Sequence, residues 1–167
     1  LNPGVDFIRS DMRELSEVSA AGSFDAVFSC GRSFTYMTTN RDVLGCLNAV
    51  NRLLKEDGIL VFDNFLASRI FRDFRERMET GSETGGVRIT RISENSPNLE
   101  TGWTWNWNAT YIIEKPGSPS RTISDPSVLR AFLPAEIALF LSLCGFDTID
   151  HTLEDFSFRT VAKKRRL

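Results

Sequence analysis

Two short clusters stand out by residue type, Ser29-Cys30-Gly31 and Asp63-Asn64-Phe65. Between them they hold a hydroxyl, a thiol, a carboxylate and an amide, each set at the end of an apolar run, FDAVFSC in one case and ILVFDNF in the other. A carboxylate so placed can hold or deprotonate an amine or hydroxyl, and an amide can orient it. Cys30 is a nucleophile by type, but no base is visibly placed for it, and a free cysteine at a strand end is more often packed than reactive. Ser33 and Tyr36 follow one turn later; they can orient a substrate, or Ser33 can cap a turn while Tyr36 covers a sheet edge. His151, the single histidine, is the general-base candidate by type, with a structural role as the alternative.

The elements around these clusters decide whether they meet. Residues 24–65 read as strand, polar turn, helix, strand: a parallel pair whose tips lie side by side at one sheet edge, where open α/β sheets bind ligands. The near-continuous apolar run at 25–30 is the pattern of a strand covered on both faces. Thr38 or Thr39 can cap the helix; Asp42 gives it an acidic first turn, and Leu44, Leu47, Val50, Leu53 and Leu54 give it an apolar face. Gly58 is expected to end it. Upstream, residues 5–10 read as a short buried strand and 12–18 as a helical turn or loop.

Downstream, Ile70, Phe71, Phe74 and Met78 predict a helix over 68–80, followed by a Gly/Ser/Thr hinge at 81–86. The period then changes to two over 87–92 and 103–112, with a turn at 116–119 and a third strand at 128–132. This predicts an antiparallel insert at 86–132, of a size suited to three strands. The insert divides an α/β core into 1–85 and 133–167. Within it, Trp103, Trp105 and Trp107 share one strand face, which can roof a substrate pocket, form a dimer contact or cover a helix. Leu133-Pro134 then starts a helix with proline in its first turn. Strands at 147–152 and 156–162 follow, joined so tightly by Glu154-Asp155 that they must pair antiparallel.

A net charge of −2 gives no global reason to expect nucleic-acid binding, and the basic run at 163–166 reads as a solvated tail. No apolar run approaches the ~20 residues of a membrane span. Three cysteines, an odd number without metal-ligand spacing, point to a reducing cytoplasm and to no metal. The chain opens at Leu1 and is soon in a strand, so it reads as the remainder of something longer.

The series VDFIRSDMREL, FDAVFSCGRSFTYM, LLKEDGILVFDNF, FLPAEIALFLSLCGF and FRTVAKK resembles the later part of a class I S-adenosylmethionine-dependent methyltransferase, closest to small-molecule and sugar N-methyltransferases. The resemblance covers nearly the whole chain. It implies a Rossmann-like α/β sheet lacking its first two strands, with an antiparallel final hairpin and a small antiparallel β insert. The family's glycine-rich turn after the first strand is absent. By resemblance, Asp11 accepts from the adenine amino group and Met12 packs on the adenine, although Asp11 can equally cap the turn after it. Ser29, Cys30 and Gly31 would flank the methyl donor; Ser33, Asn64, Phe65 and Trp105 would meet the substrate; Asp63, His151 and Tyr36 are the catalytic candidates. The implied function is methyl transfer to N, O or C of a small molecule, with S-adenosylmethionine as cofactor and a homodimer formed through 86–132. The alternatives are another Rossmann-like nucleotide-dependent enzyme, or a non-catalytic binding or assembly module. The family's strand order puts the absent first strand between residues 5–10 and 25–30. A gap is therefore expected there, filled by further N-terminal sequence or by another chain.

Overall fold

A computed structural model describes residues 4–15 and 18–166. In chain order the elements are β1 (Phe24–Ser29), α1 (Asn40–Leu53), β2 (Leu54–Phe65), the short α2 (Ala67–Ile70), β3 (Arg77–Thr84), β4 (Val87–Pro97), β5 (Thr104–Glu114), β6 (Arg121–Arg130), α3 (Pro134–Leu143), β7 (Phe146–Leu153) and β8 (Ser157–Lys164). A 3-10 turn at Ser33–Tyr36 precedes α1. The strands form two four-stranded sheets, ordered β1-β2-β8-β7 and β3-β4-β5-β6. No helix among the described residues is long and apolar enough to cross a membrane.

In the first sheet β1 and β2 run parallel, while β8 is antiparallel to both β2 and β7. The tight Glu154-Asp155 connection therefore does enforce a final antiparallel hairpin. Helices α1 and α3 cover one face, where Phe62, Phe132, Phe146, Phe158, Leu47 and Leu141 form the core. Burying a side chain of this size contributes roughly 1.5–3 kcal/mol each. Helix α1 starts at a capping box: the Thr39 hydroxyl accepts from the Asp42 N–H, and the Asp42 carboxylate accepts from the Thr39 N–H. Its amphipathic spacing turns Val43, Leu47 and Val50 onto the sheet.

Several expectations are corrected. Residues 5–10 are not a strand: they lie outside regular structure, with Phe7 82% exposed. A strand needs a partner, and among the described residues β1 pairs only with β2, leaving its other edge open. Nor is β1 covered on both faces, since Phe28 is 76% exposed on the face away from α1. The turn expected at 12–18 is present in part, with Glu14 N–H bonded to the Asp11 carbonyl, while Ser16 and Glu17 lie outside the described residues.

Gly58 does not end α1. The helix stops at Leu53 and the chain passes straight into β2, where residues 55–58 bulge out opposite Asp25. A Cβ at Gly58 would come within 2.8 Å of the Lys55 carbonyl, so glycine is required there by close approach. The helix expected over 68–80 is only the one-turn α2. From Arg77 the chain is already strand, and the expected hinge is the end of β3 plus a Gly85-Gly86 turn with both φ positive. Met78 therefore belongs to a strand, and the antiparallel sheet has four strands running from Arg77 to Arg130 rather than three. The apolar spacing that suggested a long helix instead places Ile70, Phe71 and Phe74 against Trp105 and Leu129 of this sheet.

Candidate functional site

The turn after β1 is the pivot of the site. Gly31 and Arg32 take successive left-handed conformations, with φ of 75° and 62°. The Arg32 N–H donates to Asp63 Oδ1 at 2.9 Å, so the carboxylate at one strand tip holds the turn at the other. The Ser33 hydroxyl donates to the Cys30 carbonyl at 3.1 Å, and Thr35 to the Arg32 carbonyl at 2.7 Å. The Arg32 guanidinium then lies 4.9 Å over the Phe65 ring.

Two cavities share this turn as a wall. The smaller, about 360 Å³, is lined by Met12, Leu15, Val27, Ser29, Cys30 and Phe34, among others. The larger, about 500 Å³, opens between Gly31, Tyr36 and Phe65 on one side and Trp105 and Trp107 of β5 on the other. Phe65 meets Trp105 edge-on at 5.6 Å, and Phe71 of the loop after α2 packs on both Trp103 and Trp105.

Met12 is carried to the first cavity by an ion-pair clamp. Arg13 donates to Asp11 at 2.6 Å and to Asp42 at 2.7 Å, tying the 11–15 segment to the start of α1. Arg13 holds the Asp11 carboxyl down to about 2, well below its ordinary range, so that this group is an ionised acceptor at any physiological pH. Burial pushes the Cys46 thiol, behind this cavity, up to about 12, which leaves it inert. Cys30, in contrast, is exposed.

The candidates of the sequence thus separate into groups. Met12, Ser29, Cys30 and Ser33 line the smaller cavity, so Ser33 is on that side of the turn rather than on the side of the larger cavity. Gly31, Tyr36, Phe65 and Trp105 meet at the larger one. Asp11 stands beside Met12, engaged by Arg13, and Asp63 and Ser33 are spent on holding the turn. Asn64 and His151 are not brought in. Asn64 faces the core side of β2 at 0% exposure, and neither its oxygen nor its nitrogen has a partner among the described residues. His151 sits on the edge strand β7, its Nδ1 3.0 Å from the Thr160 hydroxyl and its ring against Phe158. Burial lowers its pKa below the usual 6.5.

Several lining residues escaped the sequence reading: Arg32, Arg75, Arg91, Ser93 and Asn95. The last three stand at every second position of β4, and the alternation that marks the strand at 87–92 continues through them. Arg130 was also missed. It is 2% exposed, pairs with Glu136 at 2.5 Å, donates to the Thr38 carbonyl at 3.3 Å and lies 4.8 Å over Phe132, pinning the end of β6 to α3 and to the approach of α1.

The smaller cavity is apolar, with the hydroxyl of Ser29 and the thiol of Cys30 at its polar end and no charged lining residue. That donor set fits a flat adenine ring between Met12 and the sheet. It supplies no group for the charged methionine end of S-adenosylmethionine.

Residues 1–62 match the family described as "Methyltransferase domain". "Putative methyltransferase YqeM" of Bacillus subtilis (strain 168) is 40% identical over 70 residues, which make up 40% of this chain and 28% of YqeM. The chain therefore spans little more than a quarter of that relative. An S-adenosylmethionine-dependent methyltransferase of Clostridium acetobutylicum ATCC 824 superposes with a TM-score of 0.76 at 16% identity, over 94% of this chain and 63% of that one. CalS10, an amino pentose methyltransferase of Micromonospora echinaspora solved with S-adenosylmethionine bound, gives 0.73 at 18% identity, over 98% and 66%. The first 62 residues thus match a methyltransferase domain, and over nearly its whole length the chain has the fold of S-adenosylmethionine-dependent methyltransferases.

Proposed function

We propose that the protein transfers a methyl group to an N, O or C atom of a small molecule held in the larger cavity. The observation that carries this reading is the shared wall: one turn, from Cys30 to Tyr36, faces the candidate cofactor cavity on one side and the candidate acceptor cavity on the other. A volume of about 500 Å³ falls in the range of small-molecule sites. The activities named for YqeM and CalS10 support the same reading.

In this reading Met12 packs on the adenine of S-adenosylmethionine and ionised Asp11 accepts from its amino group. Ser29, Cys30 and Gly31 border the reacting end. The bound cofactor supplies an electrophilic methyl group. The protein's part is then to hold the acceptor in line and exclude water, and positioning of this kind can supply up to ~7–11 kcal/mol. Phe65, Trp105 and the Tyr36 hydroxyl orient the acceptor. Asp63 acts through the turn it holds. Asn64 and His151 are given structural roles. The α/β core and the insert act as separate functional units, the insert serving as a lid. The exposed face of that insert is the proposed homodimer contact. The acceptor is taken to be a small molecule and not a nucleic acid, and the three free cysteines suit a reducing cytoplasm.

Calorimetric titration of the full-length protein with S-adenosylmethionine and with NAD tests this. S-adenosylmethionine should bind and NAD should not, and Asp11→Asn should weaken binding about tenfold through loss of a charge-assisted hydrogen bond. Binding of NAD alone would point to another nucleotide-dependent enzyme, and binding of neither to a non-catalytic module.

A further inference from the structure

We infer that the larger cavity selects an acceptor carrying an anionic group, a carboxylate or a phosphate, beside a flat or apolar ring. The inference names the substrate class of the site proposed above and rests on that reading for the reaction, though not for the binding.

The argument starts from three polar side chains left without partners. Arg91, Ser93 and Asn95 lie at every second position of β4, so all three face the cavity, spread over ~13 Å of strand. Arg91 Nε, Ser93 Oγ and Asn95 Oδ1 are each buried with no hydrogen-bond partner among the described residues. Ser93 is 1% exposed as a whole residue, a position where an unmet hydroxyl is costly. The Asn95 amide is fixed, because its Nδ2 donates to the Arg75 carbonyl at 2.9 Å, which leaves Oδ1 aimed elsewhere. Such a row costs stability in the free protein and is met when a ligand supplies the partners.

Charge gives the class of ligand. Arg32, Arg75 and Arg91 line the cavity, and none of them forms an ion pair among the described residues. The one acidic lining residue, Asp73, is taken by Arg72 at 2.6 Å. A planar guanidinium fork matches carboxylate and phosphate alike. Trp105 and Trp107 stand beside this row on the same sheet face and offer a flat apolar surface to a ligand ring, and the Arg91 guanidinium lies 5.7 Å over the Trp107 ring.

The ladder also orients the ligand. Asn95 pairs with Trp107 and Pro97 with Trp105, whereas Arg91 pairs with Tyr111, farther along β5. Since Trp105 touches Phe65 at the β2 tip, the Asn95 end of the row is nearer the first sheet and the Arg91 end is remote from it. The Arg91 guanidinium reaches back from its end of the row over Trp107, toward Asn95. A hydroxyl or amine donating to Asn95 Oδ1 lies toward the turn.

Titration of the full-length protein with phenyl phosphate, benzoate and the neutral benzamide tests this, read by tryptophan fluorescence. Trp105 and Trp107 line the cavity, so quenching of their fluorescence reports its occupancy. At least one anion should bind about tenfold more tightly than benzamide, weaken as salt is raised, and lose that preference in Arg91→Met. The stronger of the two anions tells phosphate from carboxylate. Ser93→Ala, which removes no packing, should weaken the preferred anion by a few-fold and guards against misfolding of the arginine variant. Equal binding of all three probes, no binding of any, or an unchanged preference in folded Arg91→Met overturns the inference. S-adenosylmethionine titrated into the same protein keeps the two readings apart: cofactor binding without anion preference sinks this inference alone, and the converse sinks the methyl-transfer reading alone.

Discussion

The two sheets of this protein use their buried faces for opposite purposes. The first packs its inner face with phenylalanine and leucine under α1 and α3 and admits few polar groups. The second turns Arg91, Ser93 and Asn95 into a cavity and keeps only a small cluster around Trp105, Leu129, Ala67 and Ala131. One sheet buries its inner face under helices and the other lines a cavity with its own. The difference teaches where stability and specificity can be changed separately.

The sharpest way to break this contrast is a pair of truncations. Phe62→Ala, in the first core and 4.7 Å from Phe34, should cost about 3–5 kcal/mol in denaturant unfolding. Trp107→Ala, on the cavity wall, should cost under about 1 kcal/mol because its ring is only half-buried, yet abolish most binding of anionic ring probes. If the tryptophan variant unfolds as readily as the phenylalanine one, the division between the sheets is wrong. A smaller effect concerns the polar intruder of the first sheet. Asn64→Leu replaces a buried amide without partners by an apolar side chain of similar size, and should raise stability by about 1 kcal/mol. A loss of methyl transfer with stability unchanged would instead return Asn64 to the site.

The smallest effect is one of pH. Burial keeps His151 neutral, so its pKa in the folded protein is below the 6.5 of the unfolded chain. The stability this contributes is complete above pH 6.5 and drains as the pH falls from there toward the folded value. As the only histidine is involved, unfolding curves at several pH values should show that slope in the native protein and a flatter one in His151→Gln. A collapse of turnover in a stable His151→Gln would instead argue for a general base.

Signals confined to neighbouring residues were legible in the sequence. The Thr39–Asp42 cap, the parallel β1–β2 pair and the antiparallel hairpin forced by Glu154-Asp155 all follow from local spacing. What local spacing misreads is a segment whose apolar side chains serve a partner far along the chain. Phe71 and Phe74 look helical at their spacing but pack against Trp103 and Trp105, some thirty residues on. The same reason hid the site's charges. Arg91 is one position of an alternating strand in the sequence, and only the fold brings it to one cavity with Arg32. Asp63 reads equally well as a group that holds or deprotonates a substrate and as a structural carboxylate; only the fold reveals that one of its oxygens accepts from the Arg32 N–H.

The crossing between the sheets has a consequence of its own. The chain leaves the first sheet at Leu66 and returns at Phe132, and these two residues are bridged side by side. Ala67 N–H bonds to the Phe132 carbonyl at 2.9 Å and Phe132 N–H to the Phe65 carbonyl at 3.0 Å. A segment whose two ends are stitched together can be lengthened, trimmed or replaced while its host sheet stays closed. Everything between those two residues is thus a cassette. Grafting the corresponding stretch from another protein of this fold, with Arg130 kept to pair with Glu136 and Thr38, would exchange the cavity-lining surface in one step and leave the α1–α3 core in place.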